Sequence, residues 1–169
     1  MATRLSLRDY QRELAERLRT AGSSQSASKL GIQVGAESWL VELGDAGEVI
    51  PVPPVTPVPL TRPWFKGIAN VRGKLYSVVD FPAFLGGSAV APGEQGRLLL
   101  LNERFHTAAA LLIDRSLGLR NPAQLEAREP EDDAPAWLKG RYTDEDGRLW
   151  KELDVAQLAQ SPDFLGVGV

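Results

Sequence analysis

Residues 64 to 86 read Trp64-Phe-Lys-Gly-Ile-Ala-Asn-Val-Arg-Gly-Lys-Leu-Tyr-Ser-Val-Val-Asp-Phe-Pro-Ala-Phe-Leu-Gly86. Two apolar runs flank a polar turn, Asn70-Val71-Arg72-Gly73, and hold it rigid. Rigidity lowers the entropic cost of binding, and an arginine on a glycine-bounded turn suits gripping a partner better than breaking a bond. The stretch therefore indicates a binding function carried by a β-rich scaffold.

From Lys29 onward the sequence consists mainly of short strand patterns separated by glycine and proline turns. Alternation predicts a strand over Lys29–Val34, an apolar run predicts a buried strand over Arg97–Leu101, and Glu145-Asp146-Gly147 is typical of a hairpin. Residues 126–133 carry five acids against one arginine and are predicted to be a solvated loop. Many short strands at close spacing predict an all-β fold, either a small barrel or a sandwich.

Helical patterns are found near the two ends of the chain. Ser6 and Asp9 resemble a capping box at the start of a helix over residues 6–20, and Asp154 can cap a short helix over Val155–Gln160. The N-terminal helix is expected to pack its apolar stripe on its own domain, with docking on a partner helix as the alternative. That stripe consists of Leu7, Tyr10, Leu14 and Leu18.

Composition excludes several classes of protein. The chain has 169 residues, of which 43% are apolar, so a core can form. Its net charge is −3 and it has no stripe of basic residues, which argues against nucleic-acid binding. The absence of cysteine excludes disulfides and fits a cytosolic protein. The N-terminus lacks an apolar signal core, and no apolar run approaches the roughly 20 residues that span a bilayer. We therefore expect a soluble, cytoplasmic protein without direct membrane insertion.

The sequence lacks the residue combinations that form common catalytic and metal-binding sites. His106 is the only histidine, and without cysteine a zinc site with nitrogen and sulfur ligands cannot be built. No nucleophile elbow or phosphate-binding glycine loop is present. We expect no catalytic residue, metal or cofactor, and predict that the protein is not an enzyme. A small hydrolase using Asp144 or Asp146 is the enzymatic alternative.

The central stretch resembles the signature of the CheW-like family, the coupling adaptors of bacterial chemosensory arrays. The matching positions run from Gly67 through Asn70, Arg72 and Gly73 to Asp80 and on to Gly86. Two departures leave the strand pattern intact: Tyr76-Ser77 stands where a proline commonly precedes the valine, and Phe81 replaces a leucine. The resemblance extends over about residues 29 to 160, and the long N-terminal extension is similar to that of the PilI-like subgroup, which serves type IV pilus signalling.

The resemblance implies a fold and a division of the chain. It implies two five-stranded SH3-like β-barrel subdomains packed side by side, with an N-terminal amphipathic helix and a short C-terminal helix. The expected parts are a helical appendage over 1–22, a flexible linker over 23–28, the CheW-like domain over 29–160 and a C-terminal tail over 161–169.

The resemblance also implies a function. The chain would link the cytoplasmic tip of a methyl-accepting chemoreceptor to a CheA-type histidine kinase, in chemotaxis or twitching motility, and would be recruited to membrane-bound receptor arrays. The implied receptor-binding residues are Arg72, Asn70, Val71 and Gly73, whereas the kinase-binding residues are unassigned. An internal ion pair between Arg72 and Asp80 or Glu48 is the alternative role of the arginine, and Ala46 replaces a receptor-contacting valine of the family.

Five prolines between Pro51 and Pro59 predict an extended segment close to polyproline II. Because valines alternate with the prolines, we expect this run to be a stiff crossing packed against the domain. The alternatives are that the run is a ligand for another protein, or that the whole domain is a generic SH3-like peptide-binding module.

Overall fold

The computed structural model describes residues 28–169 and, before them, Gln11, Arg12 and Ala15, which are helical and exposed. The predicted helix over 6–20 and the predicted linker over 23–28 otherwise lie outside the described residues. The strands are β1 Lys29–Val34, β2 Glu37–Glu42, β3 Ala46–Pro51, β4 Val55–Thr56, β5 Phe65–Val71, β6 Lys74–Asp80, β7 Arg97–Leu101, β8 Ala109–Ile113, β9 Arg115–Arg120, β10 Glu126–Arg128, β11 Leu138–Thr143 and β12 Leu149–Leu153. The helices are α1 Phe81–Phe84, α2 Val155–Gln160 and α3 Pro162–Leu165, with 3-10 turns at Glu103–Phe105 and Pro122–Gln124.

The strands form two sheets of six. The first sheet has the order β10-β11-β12-β2-β1-β9, and the second has the order β3-β7-β8-β6-β5-β4. Pairing is antiparallel except between β12 and β2 and between β6 and β8. The predicted mostly β, two-part architecture is confirmed. Closure into five-stranded barrels is not, because in the described part of the chain each sheet has six strands in an open order.

The second sheet curls around a small core of its own. All buried members of this core come from that one sheet, and the partly buried Ile50 of β3 and Val55 of β4 pack against them from its two outer strands. A flat sheet cannot enclose apolar side chains on one face by itself, so the sheet must bend. The buried members are Ala69, Tyr76, Val78, Leu98, Leu100 and Ala110.

A larger core joins the two sheets. Strand β7 supplies both cores, because alternate side chains of a strand point to opposite faces: Leu99 and Leu101 lie in the shared core, and Leu98 and Leu100 lie in the small one. The prediction of a buried strand over this apolar run is confirmed. Across the shared core, Ile32 of β1 and further residues of the first sheet lie in the same cluster.

Aromatic side chains line the boundary between the sheets, and we call this group the aromatic seam: Trp39, Trp64, Phe81, Phe84, Trp137 and Phe164. Trp39 of the first sheet meets Phe81 of α1 edge-on, with ring centroids 5.5 Å apart, and lies 6.0 Å from Trp137. Phe84 contacts Trp64 and Phe164 at 5.1 and 5.7 Å. Such pairs each add about 0.5–1.5 kcal/mol beyond area burial, so the seam stabilises the docking of one sheet on the other.

The aromatic residues differ in burial. Phe65 is buried and Trp64 is half-buried, so these adjacent aromatics split between core and surface. Trp39 and Trp150 are buried. Trp137 precedes β11 and is only half-buried.

Three segments differ from what local pattern suggested. The acidic segment predicted as a loop contains β10, which the sequence does not signal because all three of its residues are exposed. The valines of the proline run do not all pack inward: Val52 and Val58 are 40% and 38% exposed. Residues after 160 include α3, whose Phe164 is 4% exposed, and a bridge between Thr61 and Gly168.

Candidate interaction surface

The turn between β5 and β6 is a tight two-residue hairpin. Val71 pairs with Lys74, and the two residues between them, Arg72 and Gly73, have φ angles of 51° and 86°. Two successive positive φ values define the type I′ turn, whose twist matches that of the flanking strands. The Asn70 Oδ1 atom accepts a hydrogen bond from the Gly73 amide at 2.9 Å, which fixes the loop from inside.

Arg72 occupies a backbone conformation that a residue with a Cβ adopts only at a cost. In the left-handed region the Cβ lies too close to the following carbonyl oxygen, and type I′ turns accordingly prefer asparagine, aspartate or glycine at this position. Strain of this kind persists where the rest of the structure enforces it, and it is concentrated at functional positions. The guanidinium is therefore presented at a fixed point despite the local backbone preference.

Arg72 forms an ion pair with Glu48 of β3. One Nη1–Oε1 distance is 3.4 Å, and Nη2 contacts Oε2 as well, so the contact is bidentate. In a flat sheet β3 and β5 would stand about 19 Å apart, at roughly 4.8 Å per neighbouring strand, so this contact depends on the bending of the second sheet. The internal pairing with Glu48 that the sequence left open is thus observed, and pairing with Asp80 is not.

The Arg72–Glu48 pair lies in solvent. The two side chains are 69% and 45% exposed, and ion pairs in such positions contribute little to folding. The hydrogen bond from Arg72 lowers the pKa of Glu48 and raises the pKa of the arginine, so both groups are charged at neutral pH. An exposed guanidinium held by an exposed carboxylate can exchange that carboxylate for another without unfolding anything.

Two more ion pairs adjoin the turn, and we call the three pairs together the charged corner: Arg72–Glu48, Lys74–Glu103 and Arg104–Asp45. The Lys74 Nζ–Glu103 Oε1 distance is 2.6 Å, and the Lys74 ammonium also lies 5.3 Å from the Tyr76 ring centroid. Their hydrogen bond raises the pKa of Lys74 and lowers the pKa of Glu103. The charged corner carries three cations and three anions, so its chemistry is that of complementary pairing rather than of a basic patch.

The predicted receptor-binding residues lie together at the hairpin, but they differ in exposure. Asn70, Arg72 and Gly73 are exposed at the tip of the hairpin. Val71 is half-buried and packs against the small core, so its side chain points inward rather than towards a partner. Ala46 is half-buried on the same strand as Glu48.

The remaining members of the charged corner were missed by sequence reasoning. Lys74 and Glu103 are 29 residues apart, and Asp45 and Arg104 are farther apart still. Nothing in their local patterns distinguishes them from other surface charges. Covarying pairs in related sequences could have found them.

The other motif positions have structural roles. Asp80 is fully buried, and its two carboxylate oxygens accept hydrogen bonds from the amides of Ala83 at 3.1 Å and Val90 at 2.9 Å. Asp80 thereby caps α1 and connects the following loop to β6. The Lys66 Nζ atom lies 3.9 Å from its Oδ2 atom. Gly67 has a φ of 134°, and a Cβ there would lie 2.0 Å from the Thr56 carbonyl oxygen, so only glycine lets β4 approach β5.

Side chains that could have supported catalysis are engaged in turns. Asp144 accepts hydrogen bonds from the Trp150 indole at 2.9 Å and from two backbone amides of its own hairpin. These contacts lower the pKa of Asp144, which makes it a weaker general base. His106 is exposed and ends the 3-10 turn with a φ of 52°. Asp114 accepts a hydrogen bond from the Gly35 amide at 2.5 Å and so holds the β1–β2 turn.

Two further observations concern the part of the chain that the structure describes. Within it, no three or more histidine, aspartate or glutamate residues gather where they could hold a metal ion. No helix in that part has the length and apolar character needed to cross a membrane.

The domain presents a tight, charged hairpin tip on a curled sheet. Among known families, the model of the CheW-like domain matches residues 29–163. The chain is a member of the CheW-like domain family.

Relatives and solved structures extend this assignment. The chain is 34% identical over 149 residues to Protein PilI of Pseudomonas aeruginosa, covering 86% of this chain and 82% of the relative. It is 25% identical over 133 residues to Chemotaxis protein CheW of Thermotoga maritima, covering 78% and 86%. The crystal structure of scaffolding protein TtCheW from Thermoanaerobacter tengcongensis has a similar fold, with a TM-score of 0.65 at 19% identity, over 76% of this chain and 89% of that one.

Proposed function

We propose that this chain is a non-enzymatic adaptor that couples a methyl-accepting chemoreceptor to a CheA-type histidine kinase. Membership of the CheW-like family and the similarity to a chemotaxis protein support the proposal. The observation that carries it is the exposed Arg72 guanidinium, held on a strained, tight turn beside a carboxylate that it can release. No cofactor and no nucleic acid take part.

Arg72 contacts the receptor tip by exchanging partners. A carboxylate or a set of helix-end carbonyls on the receptor replaces Glu48 as the acceptor of the planar guanidinium fork. Asn70 and Gly73 hold the turn in shape, and Val71 anchors it to the small core beneath. Because the turn is already rigid, little conformational entropy is lost on binding.

Coupling between receptor and kinase follows from linkage. If the receptor binds the adaptor–kinase complex more tightly in one of its two states, the kinase equilibrium shifts by that difference in free energy. The kinase contributes its own CheW-like domain to the contact, and the residues of this chain that meet it are unassigned. Interfaces of standard size, roughly 1,600 Å² or less, suffice for reversible assembly.

The output that we favour is type IV pilus twitching motility. The support is the identity of 34% to Protein PilI, compared with 25% to the chemotaxis protein. The adaptor acts in the cytoplasm, recruited to membrane-bound receptor arrays, without inserting into the bilayer. The proposed division of the chain is a helical appendage over 1–22, its linker over 23–28, the coupling domain over 29–160 and a C-terminal segment over 161–169.

Purified components test the proposal. Binding of the full chain to a receptor cytoplasmic fragment and to a CheA-type kinase is measured by calorimetry, and then repeated with Arg72→Ala. We expect receptor binding to weaken at least about fivefold, since an interface arginine of this kind is a typical hot spot, with kinase binding unchanged. Arg115→Ala, an exposed arginine on the edge strand of the other sheet, is the matched control and should bind both partners normally.

The outcomes separate the alternatives. Normal receptor binding by a folded Arg72→Ala variant would remove this arginine from the site. Failure of the unsubstituted chain to bind the kinase, combined with affinity for a linear peptide, would favour a generic SH3-like peptide-binding module instead.

A further inference from the structure

The segment before β5 has an unusual local restriction. It reads Pro51-Val-Pro-Pro-Val-Thr-Pro-Val-Pro-Leu60, and in residues 50–59 only Val55 is neither a proline nor the residue before one. Proline fixes φ near −65°, and the residue before a proline is pushed away from helical geometry towards β or polyproline II. Nearly every residue of the segment is therefore restricted to an extended conformation by its own covalent structure.

The segment is exposed along most of its length, because in residues 51–60 only Pro53 and Val55 are half-buried. Pro51, Pro54, Pro57 and Leu60 are all exposed, Leu60 to 81%. These four positions have the spacing Pro-x-x-Pro-x-x-Pro-x-x-Leu, which matches the three residues per turn of polyproline II. We call residues 51–60 the proline ridge.

The domain holds the proline ridge at three points. At its start, Pro51 pairs with Arg97 in the second sheet. In its middle, Val55 and Thr56 pair with β5 at the place where Gly67 lacks a side chain. At its end, the Leu60 carbonyl accepts a hydrogen bond from the Val169 amide at 3.2 Å. A ridge fixed in this way loses little conformational entropy when a partner binds it.

Recognition by strand addition is unfavourable here, although β4 is an outer strand of its sheet. Five of the ten residues in the ridge are prolines, which have no amide hydrogen to donate to a neighbouring strand. What the ridge can offer is the packing of its rings and its leucine. Grooves lined by aromatic side chains bind this kind of surface.

The C-terminal end of the ridge differs chemically from its start. Leu60 has a φ of 58°, which turns the chain while leaving the leucine exposed. Arg62 follows; it is exposed, and its Nε donates to the Gly166 carbonyl at 2.9 Å. A cation two residues after the last apolar position gives the ridge a direction and calls for an acid at one end of the partner's groove.

We propose that the proline ridge is a docking site for a folded partner domain that reads Pro-x-x-Pro ligands through an aromatic groove with an acidic end. The interaction goes beyond the coupling of receptor and kinase and does not depend on it. It gives the adaptor a further surface, separate from the charged corner, through which another protein can be recruited.

An SH3 domain of known Pro-x-x-Pro preference serves as the probe. The isotope-labelled domain is titrated with the full chain, and its amide resonances report binding. We expect shifts at the aromatic groove, and affinity at least about tenfold lower for the Pro54→Ala, Pro57→Ala double variant. Pro63→Ala, an exposed proline outside the ridge, should bind like the unsubstituted chain. The same SH3 domain with its groove tryptophan replaced by alanine should not bind.

Three results would overturn the proposal. They are no groove shifts with the unsubstituted chain, equal binding by the double variant, and binding that survives loss of the groove tryptophan. If the ridge does not bind and the double variant self-associates in light scattering, the prolines act only to protect the sheet edge from pairing. A thermal melt of each variant establishes that β4 and β5 are intact.

Discussion

The carboxylate of Glu48 determines whether the Arg72 guanidinium is available to another partner. Glu48 and a partner's carboxylate would compete for the same pair of N–H donors on the Arg72 guanidinium, and only one of them can accept both hydrogen bonds at a time. Under the proposed function, the internal pair is the resting state of the arginine, held by Glu48 until a receptor carboxylate replaces it. Its exposure makes it easy to displace.

Removing the competitor should strengthen receptor binding. In Glu48→Gln the shape of the side chain is kept but the internal charge is lost, so we expect receptor affinity to rise about two- to fivefold. Calorimetry against the receptor fragment measures the change, with Glu103→Gln as the matched control at the neighbouring pair. An affinity that falls in Glu48→Gln would mean that Glu48 itself contacts the receptor or positions the arginine.

Asp80 shows how a motif residue can act through structure alone. In Asp80→Ala the amides of Ala83 and Val90 lose their acceptors, and we expect the free energy of unfolding to fall by about 2–4 kcal/mol. Asp80→Asn keeps one acceptor oxygen and should lose about half as much. Urea unfolding provides the values, and equal losses in the two variants would contradict the separate roles of the two oxygens.

At the scale of elements, strands β11 and β12 enclose a polar network around Glu152, which is only 1% exposed. Tyr142 donates a hydrogen bond to its Oε2 atom at 2.8 Å, and Lys29 contacts its other oxygen. Burial, together with this hydrogen bond, raises the pKa of Tyr142 from 10.0 to about 12. The protonated phenol is therefore favoured in the folded state.

The sign of the resulting pH dependence is fixed. Since the folded pKa lies above the unfolded one, the contribution of Tyr142 to stability is complete below pH 10 and is lost as the pH rises towards about 12. We expect the stability advantage of the unsubstituted chain over Tyr142→Phe to shrink across that interval. Denaturant midpoints at a series of pH values measure it, and a constant difference between the two proteins would contradict the assignment.

The elements that sequence could predict are those encoded by neighbouring residues. The hairpin over 70–73 and the helix over Val155–Gln160 each depend on a cap or turn residue within a few positions. The exposure of Val52 and Val58, by contrast, depends on how the second sheet bends, and β10 depends on a partner strand. Long-range geometry of that kind has no local signal.

The same division applies to the candidate site. Arg72 and its turn could be predicted because the turn chemistry and the family signature coincide there. For the internal ion-pair partner of Arg72, the sequence left two candidates, Glu48 and Asp80, and no local pattern favoured one of them. Which of them lies within reach is decided by the burial of Asp80 and the curling of the second sheet.

At the scale of the molecule, the shared core makes the two sheets interdependent. Leu99 is fully buried in that core, and Leu99→Ala should lower the free energy of unfolding by about 2–5 kcal/mol. We expect both sheets to unfold in one transition, so indole fluorescence and far-ultraviolet circular dichroism should have the same midpoint. Two separated transitions would mean that the sheets fold independently.

The aromatic seam also gives the molecule a spectroscopic gauge of its own. Trp39 of the first sheet lies 5.5 Å from Phe81, and Trp137, which precedes β11 of the same sheet, lies 5.9 Å from Phe84. Phe81 and Phe84 belong to α1, which directly follows β6 of the second sheet. A small slide of one sheet past the other would change the surroundings of both indoles. Unlabelled protein could then report such a slide as a change in emission or in near-ultraviolet dichroism.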